Sequence, residues 1–246
     1  MKHTMLGRAI AVLGVVLLIG AALLFGACDG DPVTVPASRT WRVPGDLPSI
    51  AAAADTAQTG DVILVAPGTY REHGIRLGTG ITLRGETDKA DVVIDGGGGG
   101  AVLVLLGGDF ETVVENLTIM GGDGGGEGGG GIRIAADARI ANCRLLANAA
   151  EGPGGGVRTG FGAVTMVDCV FDSNRTASEG AGLSCQSGTL ALTSCVFTGN
   201  AAETGAAGGA RISTAATLTG CVFDGNSAYA APGGLLVTGS STITIT

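Results

Sequence analysis

Cys143, Cys169, Cys195 and Cys221 stand at equal intervals along the chain. A strict period of about 26 residues restricts a chain to stacked repeats, each too small to bury its own core. Each cysteine opens a similar phrase: Cys143-Arg-Leu145, Cys169-Val-Phe171, Cys195-Val-Phe197, Cys221-Val-Phe223. Each phrase reaches an asparagine, Asn148, Asn174, Asn200 or Asn226, and then a small-residue loop with Gly155-Gly156, Ala181-Gly182, Gly208-Gly209 or Gly233-Gly234. From Leu117 onward the chain divides without a gap into blocks 117–142, 143–168, 169–194, 195–220 and 221–246.

Three short strands fit each block. One is the Cys-x-Phe phrase. The second follows the glycines: Ile132-Arg-Ile134, Val157-Arg-Thr159, Leu183-Ser-Cys185, Ala210-Arg-Ile212, Leu235-Leu-Val237. The third precedes the next cysteine, as in Val164-Thr-Met166 and Leu190-Ala-Leu192. Three strands per turn, stacked about 4.8 Å apart, describe a parallel β-helix. The expected fold is therefore all-β, a single-stranded right-handed parallel β-helix of about seven coils with about 26 residues each. Inward slots should align in columns: Leu117 with the four cysteines, and Ile119, Leu145, Phe171, Phe197, Phe223 beside them. Cysteine serves in such a column as a small apolar residue. The asparagines should form a ladder in which each amide donates to the next. The glycines should supply positive φ or close packing at the turns.

Composition agrees. Of 246 residues 46 are Gly, with 15% charged and 45% hydrophobic, so the chain can bury a long core through tight turns. A net charge of -8 argues against nucleic acid as a partner, though not against a local basic stripe.

The N-terminus reads as a targeting segment. Lys2, His3 and Arg8 precede an apolar run from Ala9 to Phe25, followed by Gly26-Ala27-Cys28. The Cys after Gly-Ala resembles the lipobox of bacterial lipoproteins, which implies lipidation of Cys28 and membrane attachment through that anchor. An uncleaved anchor helix and an ordinary cleaved signal are the other readings. All three place the remainder outside the cytoplasm, on the envelope or cell surface. Residues 1–27 are thus expected to be the signal, 28–40 a tether with Pro32 and Pro36, 41–74 an N-terminal cap and 75–246 the coils. In the cap, Ser49 is placed to N-cap an Ala-rich helix that Gly60 ends, with Val62 to Val65 a buried strand and Pro67-Gly68 a turn.

Phe171-Asp-Ser-Asn174, Phe197-Thr-Gly-Asn200 and Phe223-Asp-Gly-Asn226 resemble the repeats of polymorphic outer-membrane proteins of the chlamydial type. Leu47-Pro-Ser-Ile50, Gly60-Asp61-Val62 and Pro67-Gly-Thr-Tyr70-Arg-Glu72 resemble the cap of β-helices in the pectin-lyase-like superfamily. These resemblances imply the fold and leave adhesin, spacer and enzyme open. Relatives of the polymorphic type end in a membrane β-barrel. This sequence stops at Thr246, before the next Cys-x-Phe slot and without a polar end cap, which suggests a truncated chain.

Candidate chemistry is sparse. A disulfide ladder would need Cβ atoms closer than the roughly 4.8 Å of stacked rungs, which favours buried free thiols. A metal site is disfavoured, because there is no Cys-x-x-Cys and no nearby His. Arg133, Arg158 and Arg211 share the outward slot after the glycines, with Ser184 and Leu236 in the other coils and Arg76 in a similar phrase. Such a stripe could bind carboxylates of an acidic polysaccharide, or could be a solvated face paired with Glu151, Glu179 or Glu203. The Asn-x-Asp, Asp-Asp, Gly-His-Gly and Arg-x-Lys phrases of hydrolases in the superfamily are missing, and no catalytic carboxylate pair stands out. The tracts Asp95 to Gly100 and Gly121 to Gly131 lack the spacing of calcium or phosphate loops and read as flexible turns. The sequence thus favours an adhesive or structural binding scaffold, for glycan or surface protein, over a polysaccharide lyase or glycoside hydrolase. It implies no cofactor; Ca²⁺ enters only with the lyase reading.

Overall fold

The computed structural model describes residues 37–230, 232–238 and 243–246. They form a parallel β-helix. Sheet A has nine strands, sheets B and C seven each, and every strand pairing among the described residues is parallel. Seven full A–B–C turns are flanked in sheet A by Thr40–Val43 at one end and Ile243–Ile245 at the other. The early coils are irregular: Val62, Thr82 and Val113 are register partners, and the second step along the chain is about half as long again as the first. Thereafter Val113, Arg139, Thr165, Ala191 and Thr217 align in sheet A at one constant step, the step of the cysteines.

The core columns follow from the period. Ile119, Leu145, Phe171, Phe197 and Phe223 are consecutive partners in sheet B. The three phenyl rings stack with centroids 4.3 and 4.7 Å apart and planes within 6°. That offset-parallel geometry adds to their burial energy. Cys143, Cys169 and Cys195 are fully buried free thiols. They sit one residue ahead of the sheet B strands, in the A-to-B corner, rather than inside the strands. Each thiol donates to a carbonyl of the preceding coil: Cys143 to Val114 (3.6 Å), Cys169 to Ile140 and Cys195 to Met166 (both 3.5 Å). Corner geometry explains the displacement. The residue before each cysteine, Asn142, Asp168, Ser194 or Gly220, is left-handed, with φ of 48° to 59°.

The asparagine ladder is continuous. The side-chain amide of Asn148 donates to Asn174 Oδ1 (3.1 Å), Asn174 to Asn200 (2.9 Å) and Asn200 to Asn226 (2.8 Å). Each Oδ1 also accepts the backbone N–H of the asparagine one coil earlier, and each Nδ2 also donates to a carbonyl such as Leu145 O. After the ladder comes a fourth sheet that the sequence pattern does not announce, built of the two-residue strands Ala149–Ala150, Arg175–Thr176, Ala201–Ala202 and Ser227–Ala228.

The second glycine of the first three pairs is required by proximity, not by φ. A Cβ on Gly156 would lie 2.5 Å from Gly182 O, one on Gly182 2.5 Å from Gly209 O, and one on Gly209 2.3 Å from Gly234 O. In this column Gly156 packs on the Asn174 amide, Gly182 on Asn200 and the Phe197 ring, and Gly209 on the Phe223 ring.

The cap closes the first coil. Ser49 accepts the Ala52 N–H at 3.1 Å, as its N-cap position implies. The helix, Ile50–Thr56, ends on Ala57 and not on Gly60. Glu72, from the edge of the first sheet B strand, takes the N–H groups of Ile50 (3.0 Å) and Ala51 (2.8 Å). Asp61 is 5% exposed and accepts from Arg39 N, Gln58 N and Trp41 Nε1.

Candidate functional site

Sheet C carries the arginine stripe. Arg76, Val104, Arg133, Arg158, Ser184, Arg211 and Leu236 are consecutive register partners, so Arg76 belongs to the same column as the three arginines of the later coils. Alternation puts this column outward, between the inward columns that begin at Ile75 and Leu77. The spacing here is uneven. Only the step from Arg158 to Ser184 matches the cysteine period; the steps into Arg158 and Leu236 fall short of it, and the step into Arg211 exceeds it. The loops before sheet C absorb these slips while sheet B and, as far as Thr217, sheet A keep step.

Each arginine has its own surroundings. Arg133 pairs with Glu127 and donates through NH2 to Gly124 O (3.2 Å) and through Nε to Gly128 O (3.1 Å). The tract from Gly121 to Gly131 is therefore a packed cradle containing a 3₁₀ turn at Gly125–Glu127. A Cβ on Gly122 would stand 1.9 Å from Gly130 O, which rules out the loose turn expected from composition. Burial, then the neighbouring Arg158 and Arg76, lower the Arg133 pKa from the usual arginine value. Arg158 donates to Glu127 O (2.6 Å) and to Gln186 Oε1 (3.1 Å). Arg211 Nε lies 2.7 Å from Glu179 Oε2. That contact is off-line, so it is an ion pair without a formed hydrogen bond, and Arg211 Nε is left buried and unpartnered.

Of the acids expected to neutralise the stripe, Glu179 does so. Glu203 instead approaches Arg175 at 4.0 Å, beside the fourth sheet. Glu127 takes the place foreseen for Glu151. Arg133 and Arg158, with Ile134, Ala135, Gly160 and Phe161, line a depression of about 150 Å³. Phe161 is 71% exposed, the consequence of a β-bulge: Ile134 pairs with Thr159 but Ala135 pairs with Phe161, so Gly160 is an extra residue. Sequence reasoning missed Phe161, although an aromatic between Gly160 and Gly162 is the signal that could have found it.

The other predicted positions are structural. The asparagine ladder and the cysteine column lie inside the coils, and burial raises the Cys143 pKa to about 12. Cys28 falls outside the described residues. Among the described residues no three His, Cys, Asp or Glu side chains gather as a metal site, and no helix is long and apolar enough to cross a membrane.

No curated protein matches the chain. A solved structure, pectin methylesterase PemA from Erwinia chrysanthemi, is similar at 14% identity and a TM-score of 0.48. The match covers 77% of this chain and 66% of that one, just under two thirds of its length. The family model described as the right handed beta helix region matches residues 78–246, and this chain belongs to that family.

Proposed function

We propose that the protein is a binding scaffold displayed outside the cytoplasm, and that its sheet C face holds an acidic polysaccharide. One observation carries this reading: four arginines share one outward column, and an exposed phenylalanine is bulged out beside two of them. Glu127 and Glu179 offset only part of that charge, so the face is locally basic on a chain of net charge -8. Guanidinium groups match carboxylates in geometry, and an exposed phenyl face offers an apolar platform beside them. Display is supported by the basic start, apolar run and Gly26-Ala27-Cys28 of the N-terminus, with lipidation at Cys28 as the anchor. Surface display is also what the Phe-x-x-Asn repeats suggest through their likeness to the polymorphic outer-membrane type.

The test is affinity electrophoresis of the detergent-solubilised full chain through gels containing polygalacturonate, alginate or a neutral glucan, with and without Ca²⁺. Retardation by the acidic gels alone, weakened by salt and reduced in Arg133→Ala and Phe161→Ala, is the expected result. Equal mobility in all gels refutes the reading. Unsaturated uronide product, detected by ultraviolet absorbance, would replace binding with lyase activity. Cys28→Ser should abolish palmitate labelling, and unchanged labelling would exclude that anchor.

A further inference from the structure

Among the described residues, four buried side-chain polar atoms have no hydrogen-bond partner: Arg158 Nε, Thr159 Oγ1, Ser184 Oγ and Arg211 Nε. Thr159 faces the core beside Cys185. The other three belong to consecutive rungs of one outward column, since Arg158 pairs with Ser184 and Ser184 with Arg211. Ser184 occupies an outward slot yet is 0% exposed, so it is covered by its neighbours. Arg158 bridges two coils, holding Glu127 O through NH1 and reaching Gln186, just beyond the Ser184 strand, through NH2, while Arg211 reaches Glu179, just before that strand.

Buried donors without acceptors are costly, about 1–3 kcal/mol each and more when charged, and native proteins keep few of them. Arg158 Nε and Ser184 Oγ have no acceptor at all, and Arg211 Nε has only the off-line carboxylate of Glu179. We propose that Arg158, Ser184 and Arg211 form a seat for one oxyanion, a carboxylate or sulfate carried by the polysaccharide. The proposal rests on the sheet C reading above and adds the group that is recognised and the side chains that recognise it. Glu179 acts as the internal competitor. Its carboxylate, 38% exposed, holds Arg211 off-line and leaves Ser184 unpaired. An incoming oxyanion would displace Glu179 into solvent, accept from both Nε–H groups and take the Ser184 hydroxyl proton as a third bond. The arginine Cα atoms lie two rungs apart, about 9–10 Å, a separation that the long side chains span from both sides.

The experiment titrates the full chain in detergent, with arginine Nε labelled by ¹⁵N, against galacturonate, acetate and sulfate at constant ionic strength. The signals of Arg158 and Arg211, assigned through Arg158→Lys and Arg211→Lys, should shift together with one dissociation constant. Arg175, whose side chain is 69% exposed, should stay still. Comparing the three anions separates carboxylate from sulfate recognition and shows whether the sugar ring contributes. Ser184→Ala removes one bond to a charged group and should weaken binding about tenfold, and Glu179→Gln should tighten it severalfold. No shift, an equal shift at Arg175, or an unchanged constant in Ser184→Ala overturns the seat; a site filled only by water gives the first of these. Polysaccharide retention lost in Arg133→Ala but intact in Ser184→Ala removes the seat and keeps the glycan face. Coupled shifts with small anions but no polysaccharide retention keep the seat and remove the glycan reading.

Discussion

Replacing Asn174 with alanine should open the solenoid locally by about 4 kcal/mol. Four hydrogen bonds vanish: Asn174 Nδ2 to Leu145 O (2.9 Å) and to Asn200 Oδ1 (2.9 Å), and the Asn148 N–H and Nδ2 to Asn174 Oδ1 (both 3.1 Å). Each is worth about 1 kcal/mol net, and the Asn148 N–H is stranded where water cannot reach it, because Asn148 is 1% and Asn174 0% exposed. Asn226→Ala, at the half-buried end of the ladder, also loses its bonds, but solvent can replace them, and about 1 kcal/mol is expected. Hydrogen exchange with peptide-level mass readout is the suitable assay, since stacked repeats open in parts. Amides within 143–182 should exchange about a thousandfold faster in Asn174→Ala, because each 1.4 kcal/mol is about a factor of ten. Amides around Ile63 and Leu83 should not change. An acceleration below tenfold, or one equal to that of Asn226→Ala, would show that the ladder is a packing pattern without energetic weight.

Gly156→Ala should destabilise the coil by about 3 kcal/mol or more, because its Cβ would stand 2.5 Å from the Gly182 carbonyl, whereas Gly126→Ala, which meets nothing within 4 Å, should be neutral; urea titration followed by circular dichroism separates them. Cysteine footprinting with iodoacetamide at pH 8 should label half-buried Cys221 first and leave Cys143 and Cys195 unmodified until unfolding, since burial raises the Cys143 pKa to about 12 and the Cys169 thiol beside Cys195 pushes that thiol higher still. Early labelling of Cys143, or a disulfide found by mass spectrometry, would contradict the closed core. Burial alone would raise the Asp61 pKa, but the hydrogen bonds from Gln58, Arg39 and Trp41 outweigh it and hold it below the usual carboxylate value. A depressed folded pKa means that the carboxylate stabilises the cap above about pH 4 and that this is lost as pH falls through the folded value. Fluorescence of Trp41, the sole tryptophan, should therefore report cap release on acidification, and Asp61→Asn should remove that acid transition.

The columns were legible because they obey the period. Once Cys143 and Cys169 are placed one coil apart, Phe171 over Leu145 and Asn174 over Asn148 follow by counting. What was hidden breaks the period or depends on residues far apart. The cysteines lie in the corner rather than the strand because the left-handed residue precedes them, and Asn142, Asp168 and Ser194 share no single letter that advertises it. The strands Ala149–Ala150 and Arg175–Thr176 are too short to show alternation. Glu72 capping Ile50 and Ala51 joins a strand edge to a helix well upstream of it, a contact no local pattern encodes. Glu127 lies in the Gly121 to Gly131 tract, whose composition reads as a flexible turn although the tract packs around Arg133.

The departures from regularity concentrate on one side. Sheet B keeps the constant step through Phe223 and sheet A through Thr217, and the core asparagines satisfy their donors and acceptors on one another. Sheet C has the uneven steps, the bulge at Gly160, the aromatic it exposes, and three buried outward-column polar atoms without a formed hydrogen bond. Natural sequences tend to break local rules where function requires it. A solenoid built only to extend would gain by repeating Thr or Ser along that column, as sheet A does with Thr217 and Thr244. Placing Arg158 and Arg211 around a covered Ser184 instead leaves Arg158 Nε and Ser184 Oγ buried without an acceptor. The anionic ligand proposed for sheet C would give those donors, Arg158 Nε and Ser184 Oγ, the acceptor they lack.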